Sequence, residues 1–547
     1  MDALQRLKDA DAISRLKERD PLLFSSEVDM RQKTMQRLGW TDLATAATGR
    51  LPLVTNLAKA LISEGATDIV LLGMGGSSLA ALTLKRVIGS APGMPKLHVL
   101  DTTSPVAVNA LLESLDRSHT FFLLSSKSGT TIEPLSLYAV FRAWMEAELE
   151  RPAAGQHFIA ITDPGTPLEK LRQREVMRVA LSAPATVGGR FSALSMFGLA
   201  PAALAGMDLG AIIERAQRME SACHQPAEVN PAAQLTAFIA DAYDQGRDKL
   251  TLICSPVLEP FGLWVEQLVA ESTGKSGEGI VPVIEFAPST PLTYDDDRML
   301  VIIRMHDDHE LVSWSTQASA AHPLFEIVLN DQYDIGAQFV QWEYAVALLG
   351  HLLGVNPFDE PNVSEAKETT RKVLEGTASV PTAIADIDGV WVTYAGALPA
   401  PAAPSTLADA IRPMVDALAP KDYAAILAYL PDDPAMTGPL RIATARLSAA
   451  THRAVTLEIG PRYLHSTGQL HKGGPNTGVF LVLTARDRAD VEIPGQEYSL
   501  GQLFRAQAEG DLATLATHDR RVMRVDLPET SRETIAALAD ALADAAG

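Results

Sequence analysis

The sequence predicts an α/β fold of two similar doubly wound parallel-sheet modules followed by a smaller C-terminal α/β region. Three observations carry this. Short apolar runs alternate with helical patterns, which is the signature of a parallel sheet with crossover helices. The runs end in Gly, Ser, Thr or Asp, residues that cap helices and leave backbone N–H groups free. The pattern then begins again near Asn230.

In chain order, a charged N-terminal arm (residues 1–50) reads as helical. The first module (51–225) carries the runs DIVLLGMGGSS, KLHVLDTT, HTFFLLSSKSGTT and HFIAITDP, with helices such as LAALTLKRVIGS between them. The second (226–396) opens with the helical PAAQLTAFIADAYDQG, then the strand KLTLICSP, a helix through FGLWVEQLVAES and the strand RMLVIIRM. The Pro/Ala-rich ALPAPAAPS at 397–405 reads as a boundary or extended linker. The last region (397–547) is expected to hold a helical DALAPKDYAAILAYL, strands at RAVTLEIGP and TGVFLVLTA, and a closing Ala-rich helix.

Composition narrows the function. At 547 residues and 47% hydrophobic, the chain is long enough for two or three cores. Its 46 Lys and Arg against 67 Asp and Glu give a formal net charge of −21, which argues against a nucleic-acid or anionic-membrane surface. An anionic ligand must therefore be caught by a local site. Cys223 and Cys254 are too few for a disulfide framework and lack zinc-site spacing, so two buried thiols in a reducing compartment are expected. The N-terminal stretch has no apolar core of a signal peptide, and no run reaches the length of a membrane span, so a cytoplasmic location is expected.

Two nucleotide motifs fail. GMGGSS at 73–78 has Ser78 where a dinucleotide fingerprint needs its third glycine, and ESTGKS at 271–276 has Val269 where a P-loop needs its first. What remains is a pair of strand-to-helix loops, GGSS and SKSGTT, rich in hydroxyls and N–H donors, with Lys127 as a point charge. One such loop would merely cap a helix. Two in consecutive units, one carrying a lysine, suit a compact phosphate dianion.

GMGGSSL, SKSGTT, GGRFSALS, AESTGKSGEGIVPV, VNPFDEPNVSEAK and LHSTGQLHKGGPNTG, in this order, resemble the phosphoglucose isomerase family. They are most similar to the isomerase half of fused transaldolase/glucose-6-phosphate isomerase proteins, and the likeness runs from MQRLGW at 35 to RVMRVDL at 521, with no transaldolase-like portion. The resemblance implies two sugar-isomerase (SIS-type) modules, a homodimer, no cofactor or metal, and interconversion of glucose 6-phosphate and fructose 6-phosphate in glycolysis and gluconeogenesis. It implies that Ser77, Ser126, Lys127, Ser128 and Thr131 hold the substrate phosphate, with Gly75 and Gly76 allowing close backbone approach. It makes Glu271 the carboxylate that carries a proton between C1 and C2, Arg190 the stabiliser of the enediolate, and Lys367 and His465 the ring-opening pair. His471 and Lys472 are weaker candidates, and HDDH at 306–309 reads as a solvated turn rather than a metal site.

Two departures stand out. Glu360 in NPFDEP occupies the place of a glutamine that helps bind phosphate, where a carboxylate repels a dianion unless it is protonated or turned away. His465 follows Lys367 in the chain, an order shared with the fused relatives but not with single-module isomerases. Glu360 keeps open an isomerase of another phosphorylated or anionic sugar. A non-catalytic sugar-phosphate-binding regulator is the rival from another class, but it would have no use for Glu271 together with Arg190 and Lys367.

Overall fold

Three sheets organise the chain in this computed structural model, which describes residues 2–285 and 294–547. The first is parallel throughout, with β1 (Asp68–Leu72), β2 (Lys96–Leu100), β3 (Thr120–Ser125), β4 (Phe158–Thr162) and β5 (Val179–Ser182) in the order β2-β1-β3-β4-β5. The second is also parallel, with β6 (Lys249–Cys254), β7 (Val281–Glu285), β8 (Arg298–Met305) and β9 (Leu324–Leu329) in the order β7-β6-β8-β9. In both, the first strand of the sheet has a neighbour on each side and the winding direction reverses beside it. Such reversals open a crevice at the carboxyl ends of the strands.

The third sheet is mixed. It contains β10 (Ala385–Ile387), β11 (Val390–Gly396), β12 (Tyr423–Ala428), β13 (Ala454–Ile459), β14 (Gly478–Ala485) and β15 (Arg521–Leu527), ordered β10-β11-β15-β14-β12-β13. The strands from β15 to β13 run parallel, whereas β10–β11 and β11–β15 pair antiparallel. β10 and β11 precede the Pro/Ala-rich stretch, which is therefore a loop within this sheet's unit and not the boundary before it.

The stretch DALAPKDYAAILAYL corrects the expected helix. The helix Leu407–Asp416 ends at its start, and Tyr423–Ala428 is the strand β12. Its alternate residues serve two different cores. Ala424, Ile426 and Ala428 face the helices Leu407–Asp416, Pro434–Thr451 and Arg532–Ala546, whereas Tyr423, Ala425 and Leu427 pack with Ala270, Val281 and Val283 of the second sheet's unit. Burial on both faces overrides the helix preference of Ala and Leu.

The N-terminal arm is helical, with helices at Ala3–Asp9, Ala12–Lys17, Val28–Met35 and Leu43–Ala47. It packs into the core that joins the first two sheets, through Leu7, Leu16, Leu38 and Trp40. Among the described residues, no helix is long and apolar enough to cross a membrane. Cys223 and Cys254 are both buried and unpaired by disulfide, and burial pushes the Cys254 thiol up to about 12.

Candidate active site

The loops after β1 and β3 lie side by side at the crevice of the first sheet. Residues Gly75–Ser77 form a single 3-10 turn before the helix Leu79–Val87. Gly75 has φ +53°, and a Cβ there would come within 2.9 Å of the His465 carbonyl; a Cβ on Gly76 would lie 2.2 Å from the Gly189 carbonyl. Only glycine permits this packing of three tight turns, Gly75–Ser77, Gly189–Phe191 and Arg462–His465. The second loop is tied by its own hydroxyls: Ser126 Oγ lies 3.1 Å from Thr131 Oγ1 and accepts from Gly129 N at 3.1 Å. Ser126 is buried and orders the turn, whereas Gly75, Gly76, Ser77, Lys127, Ser128 and Thr131 line a cleft of about 320 Å3.

Lys127 forms an ion pair with Asp163, at the end of β4. Burial depresses the lysine's pKa and raises that of the aspartate, and their mutual attraction opposes both shifts. Asp163 was not among the residues singled out from sequence, because a lone aspartate at a strand end usually caps a turn.

Glu271 enters the same cleft from the last turn of the helix Glu259–Thr273. It is buried, and burial raises its pKa above the ordinary carboxylate value; Arg190 opposes this and Glu360 adds to it. Arg190 is fixed on the Gly189–Phe191 turn, which is held by the Phe191 ring stacked 5.0 Å from Trp40. Its Nε donates to Ser272 Oγ at 2.9 Å, and its Nη2 to the carbonyls of Pro357 at 2.6 Å and Asp359 at 3.0 Å. Nη1 then faces Glu271 Oε1 and Glu360 Oε2, each at 3.3 Å. The loop that carries Glu360 is clasped by Lys275, whose Nζ donates to Asn356 O at 2.6 Å and to Asp359 O and Oδ1 at 2.7 Å. Burial pulls the Lys275 ammonium down to about 8.

His465 closes the cleft from the third sheet's unit, with Nε2 2.8 Å from Glu133 Oε1. Glu133 sits in the first turn of the helix that follows SKSGTT and also accepts from Gln507 Nε2 at 2.7 Å. Gln267, one helical turn before Glu271, donates through Nε2 to Glu271 Oε2 at 3.2 Å and to His465 O at 2.6 Å. Lys367, an exposed residue, reaches the cleft from the helix Val363–Leu374. Glu133 and Gln267 were not legible as site residues: a glutamate in a first helical turn and a glutamine on a buried helix look like capping and packing.

Three weaker expectations resolve into structure. His471 lies buried, 3.3 Å from Glu458, and Lys472 Nζ lies 2.5 Å from Asp511 Oδ1, so neither lines the cleft. In HDDH, Asp308 caps the helix His309–Ala318 through Leu311 N and accepts from Ser255 Oγ at 2.6 Å, which makes it more than a solvated charge. Among the described residues, no group of three or more His, Cys, Asp or Glu is placed to hold a metal ion.

Chemically, the cleft combines hydroxyl and N–H donors at one end with a carboxylate kept basic by burial, a fixed guanidinium, an imidazole and an ammonium. Such a set can move one proton at carbon and another at oxygen.

The family model for phosphoglucose isomerase matches residues 58–291. The glucose-6-phosphate isomerase of Thermus thermophilus is 30% identical over 389 residues, covering 62% of this chain and 90% of the relative. The chain belongs to the phosphoglucose isomerase family. A second relative, the glucose-6-phosphate isomerase of Rubrobacter xylanophilus, is 29% identical over 365 residues, covering 57% of this chain and 84% of that one. Among solved structures, a hypothetical protein from Thermus thermophilus is 28% identical with a TM-score of 0.59, covering 68% of this chain and 96% of its own.

Proposed function

We propose that this member of the family is an aldose–ketose isomerase that interconverts glucose 6-phosphate and fructose 6-phosphate. One observation carries the reading: Glu271, Arg190, Lys367, His465 and the two hydroxyl loops, drawn from positions 75 to 465, line a single cleft.

The loops hold the phosphate and so orient the sugar rather than react with it. His465 passes a proton to the ring oxygen and recovers one from the C1 hydroxyl, with Lys367 beside the same space, and the chain form is released. Glu271 then takes the proton from C2 of the aldose, the electron pair forms the C1=C2 bond, and negative charge gathers on the C1 oxygen. Arg190 stabilises that enediolate with a permanent positive charge. Returning the proton to C1 while O1 gains and O2 loses a proton completes the ketose. Oxidation at C2 and reduction at C1 balance within the substrate, so the route needs no electron acceptor. Glu133 acts as a positioning residue that orients His465.

The reading extends to a cytoplasmic homodimer, supported by the family resemblance and by two unpaired buried thiols. The order of Lys367 before His465 supports a kinship with the isomerase half of the fused transaldolase proteins. A second reading, an isomerase of another phosphorylated sugar, is favoured by Glu360, whose carboxylate lines the cleft.

The deciding experiment is the initial rate of glucose 6-phosphate formation from fructose 6-phosphate by purified protein, with Glu271→Gln alongside. Rapid conversion, reduced about 10²–10⁴-fold in the variant, is expected. A folded, phosphate-binding wild type that makes no glucose 6-phosphate would reject this substrate pair.

A further inference from the structure

We infer that Arg37, carried in by the N-terminal arm, is a phosphate-binding residue of this cleft and offsets the carboxylate of Glu360. The inference rests on the proposed function and adds a residue to the anion site.

The segment around Arg37 is pinned on both sides. Its amide donates to Thr34 O at 2.8 Å, Leu38 bridges antiparallel to Val187, and Gly39 N donates to Thr186 O at 2.9 Å. Asn356 Nδ2 donates to Thr34 Oγ1 at 3.0 Å, so the arm is also tied to the loop that bears Glu360. These ties lay the Arg37 side chain beside Gly188, and it lines the same cleft as Lys127, Ser128 and Thr131. Its charge is felt by both Lys127 and Asp163.

The charges of that wall then leave Arg37 conspicuous. Lys127 is matched by Asp163, and Arg190 is shared between Glu271 and Glu360. Built only from the two loops, the site would offer a dianion a neutralised lysine with a further carboxylate nearby. Arg37 forms no side-chain hydrogen bond or ion pair among the described residues, so its fork of donors lines the cleft uncommitted. A guanidinium matches phosphate oxygens in pairs, and unlike a buried lysine it stays charged whatever its surroundings.

The test is titration of inorganic phosphate into wild type, Arg37→Gln, Arg37→Lys and the double variant R37Q/E360Q, with the KM for fructose 6-phosphate beside it. R37Q is expected to weaken phosphate binding 10-fold or more and to raise KM more than it lowers kcat. R37K should recover part of the loss, and removing Glu360 in the double variant should recover part of it too. Phosphate binding by folded R37Q within twofold of wild type would overturn the inference. A second measurement needs no variant: inorganic phosphate should shield Arg37 of the wild type from phenylglyoxal, as read by peptide mapping, and unshielded Arg37 would equally overturn it. Phosphate binding reads this site without turnover, so a wild type inactive on fructose 6-phosphate would sink the proposed reaction while these results still decide the role of Arg37.

Discussion

His465 Nε2 lies 2.8 Å from Glu133 Oε1, joining residues 332 positions apart in the chain. Burial pushes the Glu133 carboxyl upward, and His465, with help from a backbone hydrogen bond and the Lys367 charge, more than offsets this, so the group sits below its ordinary value. In the proposed reaction the pair acts on oxygen, not on carbon. Glu133→Gln is therefore expected to slow ring opening, followed as anomer exchange of glucose 6-phosphate by NMR, more than it slows exchange of the C2 proton. The loss should be about 10-fold or more, within the range for acid–base groups. Equal loss in both would mark Glu133 as merely structural.

Glu360 shares one guanidinium nitrogen of Arg190 with Glu271 and, after burial, helps hold the Glu271 pKa up. Glu360→Gln removes a negative charge and leaves Arg190 to Glu271 alone, and both changes favour the ionised base. Because the proposed reaction uses the ionised form, the acid limb of the kcat–pH profile should move to lower pH. The KM for fructose 6-phosphate should fall or stay unchanged. A marked loss of activity would show that Glu360 has a positive role, as it would for a different sugar.

The parts of the site that were legible in the sequence are those where chemistry and local pattern coincide. GGSS and SKSGTT each break an apolar strand into small hydroxylated residues before a helix, so strand, loop and helix could all be read from one stretch. Glu271 was reached through the family resemblance of AESTGK rather than through local pattern alone. Glu133, Asp163 and Gln267 did not stand out, because each acquires its meaning from a partner distant in sequence, and Arg37 did not because the cleft it lines is built from residues far along the chain. The same physics hid β12: its local composition favours a helix, and only docking between two cores makes it a strand. β11 escaped notice because its partner β15 is more than 120 residues downstream, and β10 because it pairs only with β11.

Arg462, at the start of the turn that carries His465, clamps Asp101 through Nε at 2.6 Å and Nη2 at 2.8 Å, and holds Asp432 at 2.9 Å. Arg462→Met leaves a buried carboxylate unpaired and should cost about 3–5 kcal/mol in denaturant unfolding. Asp101→Asn in the same chain should restore part of that. Burial raises the pKa of Asp432, but Arg462 and Arg86 outweigh it and hold the group well below the usual carboxylate range. Its stabilising contribution is thus present above the unfolded value of about 4 and is lost as pH falls toward the folded one. Acid unfolding of the Arg462→Met variant should accordingly begin at higher pH than in wild type.

Gly76 has no room for a side chain. In Gly76→Ala the added carbon would meet the Gly189 carbonyl at 2.2 Å, and the turns that carry Ser77 and Arg190 must part. Overpacking of this kind costs about 1–3 kcal/mol. Phosphate affinity should fall with stability, measured by calorimetric titration and thermal melting; an unchanged affinity would show that the turns can separate without harm.

β15 lies between β11 and β14, although it is the last strand of the sheet to be synthesised. A nascent chain on the ribosome therefore presents two unpaired strand edges until residues 521–527 emerge, and exposed edges invite wrong pairing. The turn bearing His465 belongs to the same unit, so catalytic competence should appear only after this strand has been inserted. Activity in a timed translation assay would then report closure of the third sheet, not completion of the first two.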